Sequence, residues 1–141
     1  MALFKFVISD KERSVQLEKD QKECPVLGRK IGDTLPGDFL GLEGYEMKIT
    51  GGHDKDGFAM RKDIEGMAKR KVLLTKGVGF SARLKRKKIL KDTIKGLRKR
   101  KSLRGNTISL DVVQINCKIT KSGSKAFNEM FPPKQKEQKT E

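Results

Sequence analysis

The chain has 141 residues, 33 Lys and Arg against 18 Asp and Glu, a net charge of +15 and only 35% hydrophobic residues. That length holds one ordinary domain with a tail and closes a core without disulfides or metals, while the charge selects a polyanionic partner over a neutral one. Its longest apolar runs, such as Phe6-Val7-Ile8, are too short to cross a bilayer, and the first residues lack the basic flank and long apolar stretch of a signal peptide, so the sequence predicts a cytoplasmic protein.

Leu3 to Ile8 alternates Leu3, Lys5 and Val7 with Phe4, Phe6 and Ile8, and Ser14 to Glu18 follows after a polar turn, which predicts a hairpin. Cys24 and Cys117 lie far apart with no local pattern and read as two reduced, buried thiols. Glu23 to Ile31 carries Pro25 near a helix start and Val26, Leu27, Lys30 and Ile31 at helical spacing before Gly32, predicting a short helix. Leu35-Pro36-Gly37-Asp38 is a turn, the glycines of Phe39 to Gly44 favour bends, and Tyr45 to Thr50 alternates as a half-buried strand does.

That strand ends in Gly51-Gly52-His53-Asp54-Lys55-Asp56-Gly57-Phe58-Ala59-Met60, the densest local signature. Paired glycines followed by an acid and a third glycine call for positive φ or close chain approach, with Asp54 bonding to loop amides. Asp54, Asp56 and Glu65 fit three positions of a calcium loop, but Phe58 and Ala59 stand where that loop needs an oxygen ligand and a glycine. His53 is the sole histidine, reads as a solvent-facing loop residue, and cannot build a zinc site with two distant cysteines. Lys76-Gly77-Val78-Gly79-Phe80 lacks the Gly-Lys-Ser/Thr ending of a phosphate loop, so ordinary turning explains its glycines. No serine or cysteine has a base and orienting acid beside it, and no cofactor or metal is expected.

Val72-Leu73-Leu74 reads as a buried-type strand. Leu84 to Leu103 reads as a cationic stretch, part helix and part extended arm. Thr107 to Thr120 is a long alternation whose apolar face switches after Val112, which predicts a bulge or turn near Val112 and Val113. The fold class is mainly β, a β-rich α+β arrangement: a small β-barrel-like N-terminal domain over residues 1–80, a basic helical or extended segment with returning strands over 81–130, and a disordered polar tail over 131–141.

Between Arg61 and Arg104 stand eighteen Lys and Arg against three acids, so the remainder of the chain is neutral. Like charges at that density repel within a Debye length, about 8 Å at physiological ionic strength, and a polyanion relieves that cost. No strongly amphipathic helix with bulky aromatics accompanies them, which excludes a membrane surface as partner. Aromatics are 6%, too few for a base-stacking platform, so phosphate contact and shape should dominate nucleic-acid recognition. The expected RNA-binding residues are Lys69, Arg70, Lys71, Lys76, Arg83, Lys85, Arg86, Lys87, Lys88, Arg98, Lys99, Arg100, Lys101 and Arg104.

The Gly51 to Met60 turn, the Leu73-Leu74-Thr75-Lys76-Gly77 strand end and the Arg98-Lys99-Arg100-Lys101-Ser102-Leu103-Arg104-Gly105 cluster, in this order and spacing, resemble the ribosomal protein S6e family of archaea and eukaryotes over about residues 1–125. Gly51, Gly52, Asp54 and Gly57 match the family turn, and Ala59 replaces its usual proline. The resemblance implies a structural, non-catalytic constituent of the small ribosomal subunit, with a barrel-like N-terminal part and basic segments on folded ribosomal RNA. It implies neighbouring ribosomal proteins as partners, one copy per subunit, and no small-molecule substrate. The eukaryotic relatives' long basic tail with phosphorylated serines has no counterpart before Glu141, which resembles the short archaeal form. Two rival readings follow from the residues: a general RNA- or DNA-compacting or chaperone protein, and a metal-dependent RNA-processing enzyme using Asp54, Asp56 and Asp63.

Overall fold

In a computed structural model, residues 3–11, 13–82, 85–86, 89–90, 95–123 and 125–131 are described. Strands β1 (Leu3–Ser9) and β2 (Ser14–Asp20) form the expected antiparallel hairpin, closed by the Asp10 amide donating to the Arg13 carbonyl at 2.8 Å. β3 (Thr34–Pro36) and β4 (Glu46–Asp54) follow, then β5 (Lys69–Leu74), two short strands β6 (Lys85–Arg86) and β7 (Ile89–Leu90), β8 (Lys99–Arg104), β9 (Val112–Lys121) and one turn of helix, α1 (Phe127–Met130). Five strands make a curled, half-barrel sheet in the order β2-β1-β9-β4-β3, with β9 parallel to β1 and antiparallel to β4. β5 pairs with β8, and β6 with β7.

Alternation decides which face of the curl is filled. Phe4, Phe6 and Ile8 from β1, Met47 and Ile49 from β4, and Ile115 and Cys117 from β9 enter one core with Leu35, Leu42 and Val26. Phe6 meets Phe39 edge-on at 5.5 Å between centroids. Curvature comes from slips in the β4–β9 register: Thr50 is the extra residue on β4, and Val113 and Thr120 are extra on β9. The slip at Val113 and a turn in which the Val112 amide donates to Ser109 account for the change of apolar face, so Val112 and Ile115 are both buried. The long strand expected from Thr107 therefore starts only at Val112.

The helix expected over Glu23–Ile31 is absent. A short 3-10 turn, Gln21–Glu23, precedes a loop whose amides at Gly28 and Ile31 donate to Ile108 and Asn106, while Ile108 donates back to Arg29. Helical spacing lost to these long-range pairings, which commit the backbone amides elsewhere. Leu84 to Leu103 also differs from expectation: its described strands are β6, β7 and β8, and no helix occurs among its described residues. Apolar residues there are too sparse to cover a helix face, whereas the alternate positions Leu103, Lys101 and Lys99 suit one face of a ribbon.

The β5–β8 ribbon closes a second, smaller core of Ile64, Leu74, Phe80, Ala82 and Leu103. Leu73 is 51% exposed, so β5 is a one-sided strand and not the fully buried one its apolar run suggested. Asn106 ties the ribbon's exit to the preceding loop, accepting from the Gly66 amide and donating to the Lys62 carbonyl, both at 3.3 Å. At the other end, Phe127 and Phe131 pack at 5.4 Å, and Arg13 donates to the Phe131 carbonyl at 2.9 Å. Phe131, assigned to the tail from sequence, lies against the main core; the rest of that expected tail, 132–141, lies outside the described residues.

Cys24 and Cys117 are free and buried, as expected. Burial pushes the Cys117 thiol up to about 12 and raises Cys24 as well, which keeps both protonated and poor as nucleophiles or metal ligands.

Candidate nucleic-acid interface

Directly opposed residues of an antiparallel pair share a face, so the ribbon's register sorts its cations. Arg70, Val72 and Leu74 oppose Leu103, Lys101 and Lys99 on the face turned to the smaller core, where Lys101 Nζ stands 5.8 Å over the Phe80 ring. Lys69, Lys71 and Leu73 oppose Arg104, Ser102 and Arg100 on the other face, which is open at Lys71 and Arg100 and covered by Asp54 and Asp111 at Arg104. Every cation of the ribbon thus faces an uncharged residue except Lys69, which faces Arg104. Like charges directly opposite destabilise a pair, and this register avoids all but one such encounter.

The exception is relieved from below. The Asp54 carboxylate, its side chain 0% exposed, has Oδ2 3.5 Å from Arg104 Nη1 and 3.8 Å from Lys69 Nζ. Arg104 Nη2 also donates to Asp111 Oδ2, and Lys55 Nζ reaches the other Asp111 oxygen at 2.9 Å. Hydrogen bonds from Lys55 and Arg104 hold the Asp111 carboxyl below its ordinary range, and Lys69 does the same for Asp56. Lys69 also lies 4.5 Å over the Phe58 ring.

Asp54 is the pivot of the glycine turn too. Its Oδ1 accepts the amides of Asp56 at 3.0 Å and Phe58 at 2.9 Å, as the sequence suggested. Gly57 has φ of +81°, and a Cβ on Gly52 would stand 2.4 Å from the Gln114 carbonyl oxygen, so these two glycines are required by conformation and by close approach. Gly51 has neither constraint; it sits at the slip beside Thr50 with open space around it. His53 is not in a loop: it lies half-buried in β4 opposite Gln114.

The expected RNA-binding residues therefore divide. Arg70, Lys71, Lys76, Arg98, Lys99 and Arg100 are exposed, and Lys101 is half-buried. Arg104 is only 8% exposed and turns to Asp54 and Asp111, while Lys69 is exposed but already paired with Asp56 and close to Asp54. Lys85 and Arg86 belong to the β6–β7 pair, and Arg83, Lys87 and Lys88 lie outside the described residues. The Lys76 turn closes on itself, with Gly77 and Phe80 exchanging amide and carbonyl bonds at 2.9 and 3.0 Å, which leaves those two amides nothing for a phosphate. Asp111 and Lys55 escaped the sequence reading; the one available signal was an acid just past a basic cluster and just before a strand.

The profile of the family described as Ribosomal protein S6e matches residues 4–132. The chain belongs to the ribosomal protein S6e family. Relatives named small ribosomal subunit protein eS6 include one from Methanosphaera stadtmanae, 42% identical over 96% of this chain and 98% of the relative. Another, from Methanothermobacter thermautotrophicus, is 46% identical over 91% of this chain and 94% of its own length. A third, from Methanococcus maripaludis, is 47% identical over 86% of this chain and 90% of the relative. S6e is a family of structural ribosomal proteins and not of enzymes, which disposes of the RNA-processing reading. Within this S6e chain the carboxylates that reading invoked have other work: Asp54 and Asp56 hold Lys69 and the turn, and Asp63 pairs with Arg61 at 2.8 Å. No helix of the described residues is long and apolar enough to cross a membrane.

Proposed function

We propose that this chain is a structural constituent of the small ribosomal subunit, present in one copy, that binds and stabilises folded ribosomal RNA among neighbouring ribosomal proteins. Beside the family membership, the carrying observation is the β5–β8 ribbon, whose cations, among the described residues, meet carboxylates only at the Lys69–Arg104 end. Lys71 and Arg100 on the ribbon's open face, with Arg70, Lys76, Arg98, Lys99 and Lys101 around it and the Arg83 and Lys85 to Lys88 cluster beyond, neutralise phosphates. Lys69 and Arg104 fix the ribbon's base. The barrel over 1–80 sets where this basic segment, 81–130, is presented, and the Gly51–Gly57 turn, with Asp54, anchors it. Arg forks suit bidentate phosphate contact, and Lys supplies diffuse neutralisation. The protein works in the cytoplasmic ribosome, with no membrane and no small-molecule substrate.

Sedimentation of lysate at low and moderate salt tests the assignment: the chain should travel with the small subunit and stay there. Its appearance only in free or DNA-bound fractions would instead mark a general compacting protein. With six to ten phosphates neutralised, affinity for a ribosomal RNA fragment should fall by roughly three to five decades between 50 and 200 mM salt. A flat titration rules out the electrostatic mechanism.

A further inference from the structure

A cleft of about 190 Å³ opens where four segments meet: the loop before β3, the slip in β4, the loop after β4 and the turn after β5. Its apolar lining comes from Ile31, the buried Met60 and Val78, the last 63% exposed. Its charged lining is Arg61, Lys62 and Asp63, so the groups that select a ligand belong to the cleft itself. The volume falls below the roughly 300–1,000 Å³ of clefts for drug-sized ligands and suits a single planar ring.

The Arg61 guanidinium is restrained on two sides: its Nε donates to Asp63 Oδ2 at 2.8 Å, and its Nη1 stands 3.5 Å from the Val78 carbonyl. The Arg61 amide donates to the Arg104 carbonyl at 3.1 Å, which ties the cleft to the base of the β5–β8 ribbon, and the Ile31 amide is pinned to Asn106 at 2.9 Å. A fixed guanidinium plane beside apolar side chains is a stacking surface for a base that has left its helix, and it serves where aromatic residues are scarce. The bond to Arg61 uses one Asp63 oxygen and leaves the other to accept an N–H from a base edge. Lys62 is exposed and, like Lys76 two positions before Val78, forms no ion pair among the described residues, so the mouth stays positive after Asp63 has paired with Arg61. A bare phosphate would meet Asp63 and an apolar wall, and an apolar protein side chain would leave Lys62 and Lys76 without an anion. A nucleotide matches the whole lining, with its ring on the guanidinium and apolar side chains, an edge N–H at Asp63 and a phosphate at Lys62. We propose that the cleft binds one unstacked nucleotide of ribosomal RNA, its base between Arg61 and the apolar lining and its phosphate at Lys62. The proposal rests on the small-subunit reading and adds a site for a base to a surface for phosphates.

The test probes small subunits purified from cells whose only copy of the chain is wild type, Arg61→Lys or Val78→Glu, by 2′-hydroxyl acylation read at single nucleotides. Arg61→Lys keeps the charge beside Asp63 but loses the plane, and Val78→Glu, on an exposed turn, sets a second carboxylate at the mouth. One and the same unpaired nucleotide should become about tenfold more reactive in both, the effect of losing one base stack. No changed nucleotide in either variant, the result expected with a protein segment in the cleft, overturns the proposal, and so do changes scattered over many nucleotides. Lys62→Gln should leave the melting temperature unchanged and lower the salt slope of RNA binding by about one; an unchanged slope also refutes the proposal. A chain absent from the subunit overturns the small-subunit reading together with this one, whereas a chain retained with unchanged probing overturns this one alone.

Discussion

Asp54 exposes none of its side chain, yet it serves two oxygen acceptors' worth of partners: loop amides on one side, and Arg104 with Lys69 on the other. Its removal leaves two amides and a buried guanidinium short of a partner, which costs far more than the pair's net worth. Asp54→Ala should therefore lower unfolding free energy by about 3–5 kcal/mol in urea melts. Asp54→Asn, which keeps an acceptor for the amides, should cost less; equal losses would show that the charge alone matters. Asp111 carries the pH signature. Its folded pKa is depressed by Lys55 and Arg104, so its stabilisation is complete above the ordinary value of 3.8 and disappears as pH falls through the folded value. Asp111→Asn should narrow the difference between melting temperatures at pH 6 and pH 3, and an unchanged difference would place the acid sensitivity elsewhere.

At the scale of elements, the β5–β8 ribbon shows how a strand pair tolerates dense cations: charges alternate with Leu, Val or Ser across the ladder. The outer and inward cations should behave differently in RNA binding. Arg100→Gln or Lys71→Gln should each lower the salt slope by about one while leaving stability intact, as loss of a phosphate contact does. Arg104→Gln should instead lower stability, because the carboxylates beneath it lose their counter-charge. Parallel salt titrations and thermal melts separate the two classes, and an Arg104 variant that changed only the slope would class it with Lys71 and Arg100. In β4, Gly52→Ala must push β4 away from the Gln114 carbonyl, whereas Gly51→Ala enters open space. The first should cost about 1–3 kcal/mol more than the second, read from the same urea melts.

Across the whole molecule, an excess of +15 stands on two cores of unequal size, with the densest charge over the smaller. Repulsion among unscreened cations loads the ribbon more than the barrel, so the free protein should gain thermal stability as salt rises from 10 to 150 mM, by about a few degrees. Hydrogen exchange should find β5 and β8 opening before β1, β4 and β9, because few apolar contacts hold them. Insensitivity of the melt to salt would mean that internal pairs such as those of Asp54 and Asp111 already offset the repulsion.

Much of this was legible in the residues. Period-two alternation located β1, β2 and β4, the face switch at Val112 announced a bulge, and the charge count located the basic segment, because these are local patterns written in consecutive side chains. The glycine turn and the S6e resemblance were equally open to reading. What only tertiary structure decided was which local preference lost and which cations stayed free. The Glu23–Ile31 loop gave up helical spacing to backbone pairing with residues 106–108, and Arg104 turned inward because Asp54, fifty positions earlier, and Asp111 converge on it. Pairings between distant segments depend on how strands are ordered in the sheet, and no spacing along a single chain encodes that order.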